Sequence, residues 1–238
     1  NNGTVFIRDI MVYPIKGCKG ISVSSSLLTQ HGVQYDREYC LLSTKTQKII
    51  TQTYKPKICW IKPSIPTEKG IQISAPGMKS SVFVPRTYDE NHKVRIKYWN
   101  YKQGICGYDQ GDRASQWLTQ YFVHHGYSQN DSVRLILFDP AFKRKTHENE
   151  TSADFVHAKN KELKQSMVSF VNEFQFLVVS EEALSALNAR IKKERQRKHE
   201  VYDKQLDVIK MDRFRPNIVI SSNAYYSGNF EDDVKAFV

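Results

Sequence analysis

A chain of 238 residues has room for one large domain or two modest ones, and 40% hydrophobic with 25% charged residues is the make-up of a folded chain with a real core. No apolar run approaches the roughly 18–20 residues of a spanning helix, and the first residues lack a basic-then-apolar leader, so neither a membrane span nor a signal peptide is expected. The net charge of +10 favours an anionic partner: nucleic acid, acidic lipid or a phosphorylated ligand.

Taken in order, the first half is rich in strand signals. Residues 5–13 form a β-type run ended by Pro14, followed by the turn Ile15-Lys-Gly-Cys-Lys-Gly20 and a strand from Ile21. In that turn Gly17 and Gly20 permit close approach of backbone to a ligand, and Lys16 and Lys19 bring charge. It is a candidate phosphate cradle or an ordinary basic surface loop; the P-loop spacing is absent. Residues 35–42 read as a strand with Asp36 and Arg37 near its start, and 47–53 as its return. Residues 56–63, 70–74, 81–85 and 94–99 continue the strand pattern, with Ala75-Pro-Gly-Met78 as a turn. Short strands at this spacing favour a barrel or sandwich.

Asp112 is positioned to cap a helix reaching Phe122, with Ala114, Trp117, Leu118 and Tyr121 on one face. The polar stretch 124–131 marks a joint between two halves, 1–125 and 126–238. Residues 133–138 resume the strand pattern, and 143–164 read as a charged surface loop. A strand over 174–179 leads to Ser180, an N-cap with Glu181 and Glu182 behind it and a stripe of Ala183, Leu184, Leu187 and Ile191. The continuation 192–199 has no apolar face and reads as a solvated helix end or inserted loop, with a nucleic-acid contact as the other reading. Residues 192–210 as a whole are expected to leave the core.

The segment Met211-Asp-Arg-Phe-Arg-Pro-Asn-Ile-Val-Ile-Ser-Ser222 carries the strongest site signal. Pro216 disfavours the α region at Arg215, which predicts an extended residue there, and 218–220 read as a buried strand. This holds a guanidinium and the Asn217 amide at the mouth of a strand, a donor set suited to a phosphate or carboxylate. The alternative is that Arg213 and Arg215 pair with the acids at 231–233.

No catalytic constellation follows from spacing. The histidines lack a metal-ligand pattern, GxSxG is absent, and no metal site is expected. Cys18, Cys40, Cys59 and Cys106 are scattered, which fits a reducing compartment. Cys18, between Lys16 and Lys19, is the best-placed thiol for nucleophilic character.

Tyr13-Pro-Ile-Lys-Gly-Cys18, Tyr35-Asp-Arg-Glu38, Lys55-Pro-Lys-Ile-Cys-Trp-Ile-Lys-Pro63, Ala75-Pro-Gly-Met78, Tyr108-Asp-Gln-Gly-Asp112 and Phe214-Arg-Pro-Asn-Ile-Val219 occur in this order. Together they resemble a MOSC protein with its N-terminal β-barrel domain, and Asn172-Glu-Phe-Gln-Phe-Leu-Val-Val-Ser180 is similar to the C-terminal part of molybdenum cofactor sulfurases. The resemblance implies an α+β, mainly β protein, with a β-barrel domain over 1–125 and an incomplete MOSC barrel over 126–238. It also implies binding of the molybdenum cofactor (molybdopterin) by Lys16, Gly17, Arg37, Arg215 and Asn217, with no catalytic residue assigned. Two departures stand out: Gly17 replaces the usual Ser, and Gln110 stands where the family has Cys.

The activity so implied is presentation of the cofactor for oxo-to-sulfido exchange, as a sulfurtransferase module of a longer chain. Pyridoxal phosphate would belong to a desulfurase domain before Asn1, and the molybdenum-facing cysteine would lie beyond Val238. Expected partners are the cofactor and molybdenum hydroxylase apoenzymes, with no membrane or nucleic acid, in the cytoplasm (alternatively the mitochondrion). The other readings are an amidoxime-reducing-type molybdenum oxidoreductase and a MOSC scaffold without cofactor.

Overall fold

The computed structural model describes residues 4–98, 101–144, 167–172, 174–199, 203 and 208–222. Most of the expected surface loop 143–164 and the acids at 231–233 lie outside the described residues. The chain is mainly β with α: thirteen strands and two α-helices among the described residues.

The larger of two compact units contains Val12–Ile21 and Leu27–Gln175. Its main sheet has the order β5-β11-β10-β9, formed by β5 (Tyr39–Ser43), β11 (Val133–Phe138), β10 (Tyr101–Asp109) and β9 (Lys93–Tyr98), all antiparallel. Both faces of this sheet are buried, so β11 reads Val-Arg-Leu-Ile-Leu-Phe rather than as a clean alternation. Successive side chains point to opposite faces. Val133, Leu135 and Leu137 accordingly join one apolar cluster, and Ile136 and Phe138 another. The first cluster is closed by α1 (Asp112–His124) through Ala114, Trp117, Leu118 and Tyr121, the face expected from the helical spacing. A smaller antiparallel sheet of β6 (Lys62–Pro63), β7 (Gly70–Ser74) and β8 (Val82–Pro85) adds Ile71, Ile73, Val82 and Val84 to that cluster, and β3 (Leu28–Thr29) pairs with β4 (Gly32–Val33) as a short hairpin.

Of the described residues, those in Asn1–Met11, Ser22–Ser26 and Phe176–Val238 form the other unit. Its sheet has the order β12-β13-β1-β2, with β12 (Val178–Ser180), β13 (Ile218–Ser222), β1 (Val5–Val12) and β2 (Ile21–Val23). The strand β12 runs parallel to β13, while β1 is antiparallel to it. The Ser180 hydroxyl accepts from the Ala183 N–H at 3.0 Å, as expected of an N-cap, and starts α2 (Glu181–Arg197). These units cross the 125/126 line, because β1 pairs with β13 and β11 sits between β5 and β10.

Five sequence expectations need correction. Residues 35–38 are a turn, with Tyr35 and Arg37 at φ of 67° and 49°, so β5 begins only at Tyr39. The expected return strand over 47–53 is reduced to isolated bridges such as Leu42 with Ile49. Residues 56–60 form a 3-10 turn with proline at its start, a position where the missing N–H costs nothing. The helix α1 is capped by Gly111 at φ 86°, and Asp112 is its first residue, paired with Arg134. Residues 192–197 are the exposed end of α2, which agrees with the solvated-helix-end reading and corrects the loop reading; the apolar stripe of α2 is half-buried rather than buried. The nine-residue β10 was not anticipated: Gly104 and Gly107 break its pattern, and Gly104 sits at φ 72° where the β9 pairing slips register.

Candidate functional site

The turn bearing Lys16 is tied to the turn bearing Arg37 by backbone. The Arg37 N–H donates to Tyr13 O at 2.8 Å, Tyr39 donates to Pro14 O at 3.0 Å, and Lys16 donates to Tyr39 O at 2.8 Å. Buried Asp36 accepts from the Tyr13 N–H at 2.8 Å and from Arg37 Nη1 at 2.5 Å. The Arg37 guanidinium lies 4.3 Å from the Tyr13 ring centre, so one aromatic side chain and one carboxylate fix its plane. Lys16 Nζ donates to Phe170 O at 2.8 Å and to Asn172 Oδ1 at 2.7 Å. The Phe170 N–H in turn donates to Arg37 O at 3.2 Å. Two cationic side chains 21 positions apart are thereby delivered by neighbouring turns and share the segment 169–172.

Gly17 adopts φ 86°, a region that favours glycine, and a Cβ built on it would lie 2.7 Å from the Ile58 Cδ1. Its carbonyl accepts from Gln52 Nε2 at 3.0 Å. Cys18 is fully buried in the apolar cluster beside it, an environment that does not favour the thiolate expected from its lysine neighbours.

Arg215 and Asn217 belong to the other unit. Arg215 is half-buried at φ 58°, which corrects the extended conformation expected before Pro216. Proline does keep the residue out of the right-handed helix region. The 3-10 turn Met211–Arg213 and the αR residue Phe214 arrive coiled, however, and a left-handed residue reverses the chain into β13. Asn217 is buried, and its amide bridges backbone: Oδ1 accepts from the Leu177 N–H and Nδ2 donates to Met11 O, each at 3.3 Å. Its own N–H and C=O bond Leu177 O and Met11 N at 2.8 Å.

A cavity of about 60 Å³ opens beside the Arg37 turn, with His31, Tyr35, Asp36, Glu38 and Arg86 in its wall. Arg86 Nη2 donates to Glu38 Oε2 at 2.8 Å. Burial raises the Glu38 carboxyl above the ordinary carboxylate value, with Arg86 offsetting part of the rise, and burial lowers the His31 imidazole.

Sequence reasoning missed Tyr98, Arg144 and Phe170 as neighbours of Lys16. Asp36 and Asn172 stood inside recognised motifs but were given no role. Arg144 and Tyr98 carried no motif signal at all, since their part depends on contacts with carbonyls 25 to 73 positions away.

The chain is a mainly β protein with a lysine and an arginine on adjacent turns of one unit and an arginine–proline–asparagine strand entry in the other. The chain matches the MOSC N-terminal beta barrel domain model over residues 4–125 and the MOSC domain model over 165–234. It belongs to the MOSC family, with both domains present. It is 31% identical over 234 residues to molybdenum cofactor sulfurase of Solanum lycopersicum, a match covering 93% of this chain and 25% of that protein. It is 31% identical over 231 residues to molybdenum cofactor sulfurase of Arabidopsis thaliana, covering 93% and 25%. With mitochondrial amidoxime-reducing component 1 of Homo sapiens the identity is 25% over 234 residues, covering 96% of this chain and 59% of that one. This chain thus spans about a quarter of the length of the sulfurases it matches.

Proposed function

We propose that this chain is the cofactor-binding part of a molybdenum cofactor sulfurase, a sulfurtransferase whose substrate is the molybdenum cofactor and whose overall reaction exchanges an oxo for a sulfido ligand. The sulfurases and amidoxime-reducing components among its relatives support a molybdenum-cofactor-related MOSC function. The observation that carries the reading is the fixed pair of cations: Lys16 and Arg37 on adjacent turns, each locked by hydrogen bonds that set its direction. Asp36 neutralises one of the two charges, and the net positive charge that remains on these adjacent turns favours a bound anion.

The residues present fit such a ligand. The ammonium and guanidinium suit its phosphate, and the Gly17 turn suits close backbone approach. An amide oxygen has two lone pairs and an amide nitrogen two protons, so Asn217 can make one further bond at each end after bridging Leu177 and Met11. Arg215, in the other unit, carries a planar fork of the kind that suits an anionic oxygen. The role of these five residues is binding and orientation; proton transfer is not asked of them. As part of the same proposal, the division into domains falls at 125/126, pyridoxal phosphate belongs to a domain outside this sequence, and the clients are molybdenum hydroxylase apoenzymes. The cytoplasm is part of the same proposal. The amidoxime-reductase reading is favoured by one observation, the larger share of that relative which this chain covers.

The test is cofactor retention in the full-length parent protein, produced in a host that makes the cofactor. Pterin is read by fluorescence after oxidation, and molybdenum by elemental analysis. Wild type is expected to retain both. Arg215→Lys keeps the charge but loses the planar fork, so retention should fall about tenfold with an unchanged far-ultraviolet dichroism spectrum. Wild-type protein that carries no pterin would overturn the cofactor reading in favour of a scaffold. Cysteine-desulfurase activity in the same chain would separate sulfurase from reductase.

A further inference from the structure

Residues 168–172 are irregular backbone, yet Val168, Ser169, Phe170 and Val171 are buried. Buried carbonyls outside a sheet need partners. Two side chains supply them. Arg144, only 3% exposed, donates from Nη1 to Ser169 O at 2.5 Å and Val171 O at 2.7 Å, and from Nη2 to Asn172 O at 2.7 Å. The Tyr98 hydroxyl donates to Val171 O at 3.0 Å and approaches Phe170 O at 3.4 Å. The Tyr98 ring packs against both cations, 4.6 Å from the Arg144 guanidinium and 5.6 Å from the Lys16 ammonium. Burial pushes the Tyr98 phenol up to about 12, with Arg144 offsetting part of the rise, so at neutral pH the hydroxyl remains a donor.

The segment held in this way is the one that holds the candidate site. Phe170 O and Asn172 Oδ1 accept from Lys16 Nζ. The Ser169 hydroxyl donates to Asp36 O at 3.0 Å, and the Phe170 N–H to Arg37 O at 3.2 Å. We propose that Arg144 and Tyr98 are positioning residues: they fix the 169–172 segment, and that segment sets where the Lys16 ammonium and the Asp36–Arg37 turn sit. The geometric part stands on these contacts alone, while its consequence for ligand binding rests on the cofactor reading above. A lysine at 144 could not replace the arginine, because one compact ammonium cannot span three carbonyls as a planar fork does.

The experiment uses the full-length protein with ¹⁵N-labelled lysine and the variants Tyr98→Phe, Arg144→Lys and Lys16→Gln. The last assigns the Lys16 ammonium signal. Two quantities are read: the position and proton-exchange broadening of that signal, and pterin retained after purification. Tyr98→Phe and Arg144→Lys are expected to shift or broaden the Lys16 signal. They should also lower pterin retention about threefold to tenfold, the range for losing one or two hydrogen bonds. Should Arg144→Lys fail to fold, Tyr98→Phe decides alone, since it removes a single oxygen and keeps the ring. An unmoved Lys16 signal in Tyr98→Phe overturns the proposal. A moved signal in a protein whose wild type holds no pterin supports the positioning and sinks the cofactor reading instead.

Discussion

Lys55 and Asp131 offer the sharpest energetic test of the larger unit. Their side chains are 3% and 6% exposed, and Lys55 Nζ donates to Asp131 Oδ2 at 2.9 Å. Asp131 Oδ1 also accepts from the Ser43 hydroxyl at 2.5 Å and from the Lys45 N–H at 3.4 Å. The ammonium sits among rings, 4.9 Å from the centre of Phe122 and 5.0 Å from that of Tyr127. Asp131→Asn keeps the shape but leaves a buried ammonium without its carboxylate, and Lys55→Met leaves the converse. Each should cost about 3–5 kcal/mol. At about 2–4 °C of melting temperature per kcal/mol for a chain of this size, each variant melts roughly 6–20 °C lower. Removing both charges abolishes the uncompensated charge, so Lys55→Met/Asp131→Asn should cost about 3 kcal/mol or less where additivity demands about 6–10.

The pH dependence has a definite sign. Burial pushes the Asp131 carboxyl up, but the hydrogen bonds from Ser43 and Lys55, the Lys55 charge and the Lys45 N–H outweigh it and hold the group below its ordinary value. A carboxyl depressed in the folded state stabilises above its unfolded value, near 3.9, and that contribution fades as pH falls through the folded value. Urea titrations of wild type and Asp131→Asn from pH 7 to pH 3 should therefore show a stability gap that is constant at first and narrows below about pH 4. A double variant as unstable as the two singles combined, or a gap that ignores pH, would refute the reasoning.

Two further substitutions probe the scaffold of the site. Gly17→Ala places a Cβ at φ 86° and 2.7 Å from the Ile58 side chain, so chemical denaturation should show a loss of about 1–2 kcal/mol, plus whatever Ile58 loses in moving aside. Asn217→Ala removes the acceptor for Leu177 and the donor to Met11 from a buried position, with an expected cost of about 1–3 kcal/mol; unchanged stability would show that these 3.3 Å bonds are not made in solution.

Strand and helix positions with clean periodicity were legible in the sequence: β7, β8, β9 and β11, the buried face of α1, and the Ser180 cap. What escaped depends on long-range contacts. The β10 strand contains two glycines and becomes a strand only because β9 and β11 flank it. Nothing in the sequence distinguishes Lys55 as buried among 35 Lys and Arg, and it is the distant Asp131 that makes its burial tolerable. The 35–42 run has strand-forming composition. Asp36 overrides that preference by accepting from the Tyr13 N–H, which bends the chain into a turn. Lys16 and Arg37 stood out in the sequence as motif residues, but the side chains that hold the segment beside them, Tyr98 and Arg144, did not.

Each motif divides its labour in the same way, and the division argues for function beyond the motif match. In the first, Tyr13 supplies backbone bonds and a ring, while Lys16 carries the charge. In the second, buried Asp36 anchors the turn and Arg37 is presented on it. In the third, Asn217 bridges Met11 and Leu177, and Arg215 lies two residues before it at φ 58°. Five non-glycine residues among those described have positive φ, and two of them are Arg37 at 49° and Arg215 at 58°. A third, Tyr35 at 67°, lies in the Arg37 turn. A side chain in this region costs about 1–2 kcal/mol, which a glycine would avoid. A turn required only for chain reversal would do better with glycine, as Gly77 does between β7 and β8. Arginine at two such places makes sense where the guanidinium itself is needed and its direction matters more than the strain. Gln47 and His199, at φ 54° and 55°, carry the same strain with no such role, so the strain at Arg37 and Arg215 bears on function only under the proposed cofactor binding.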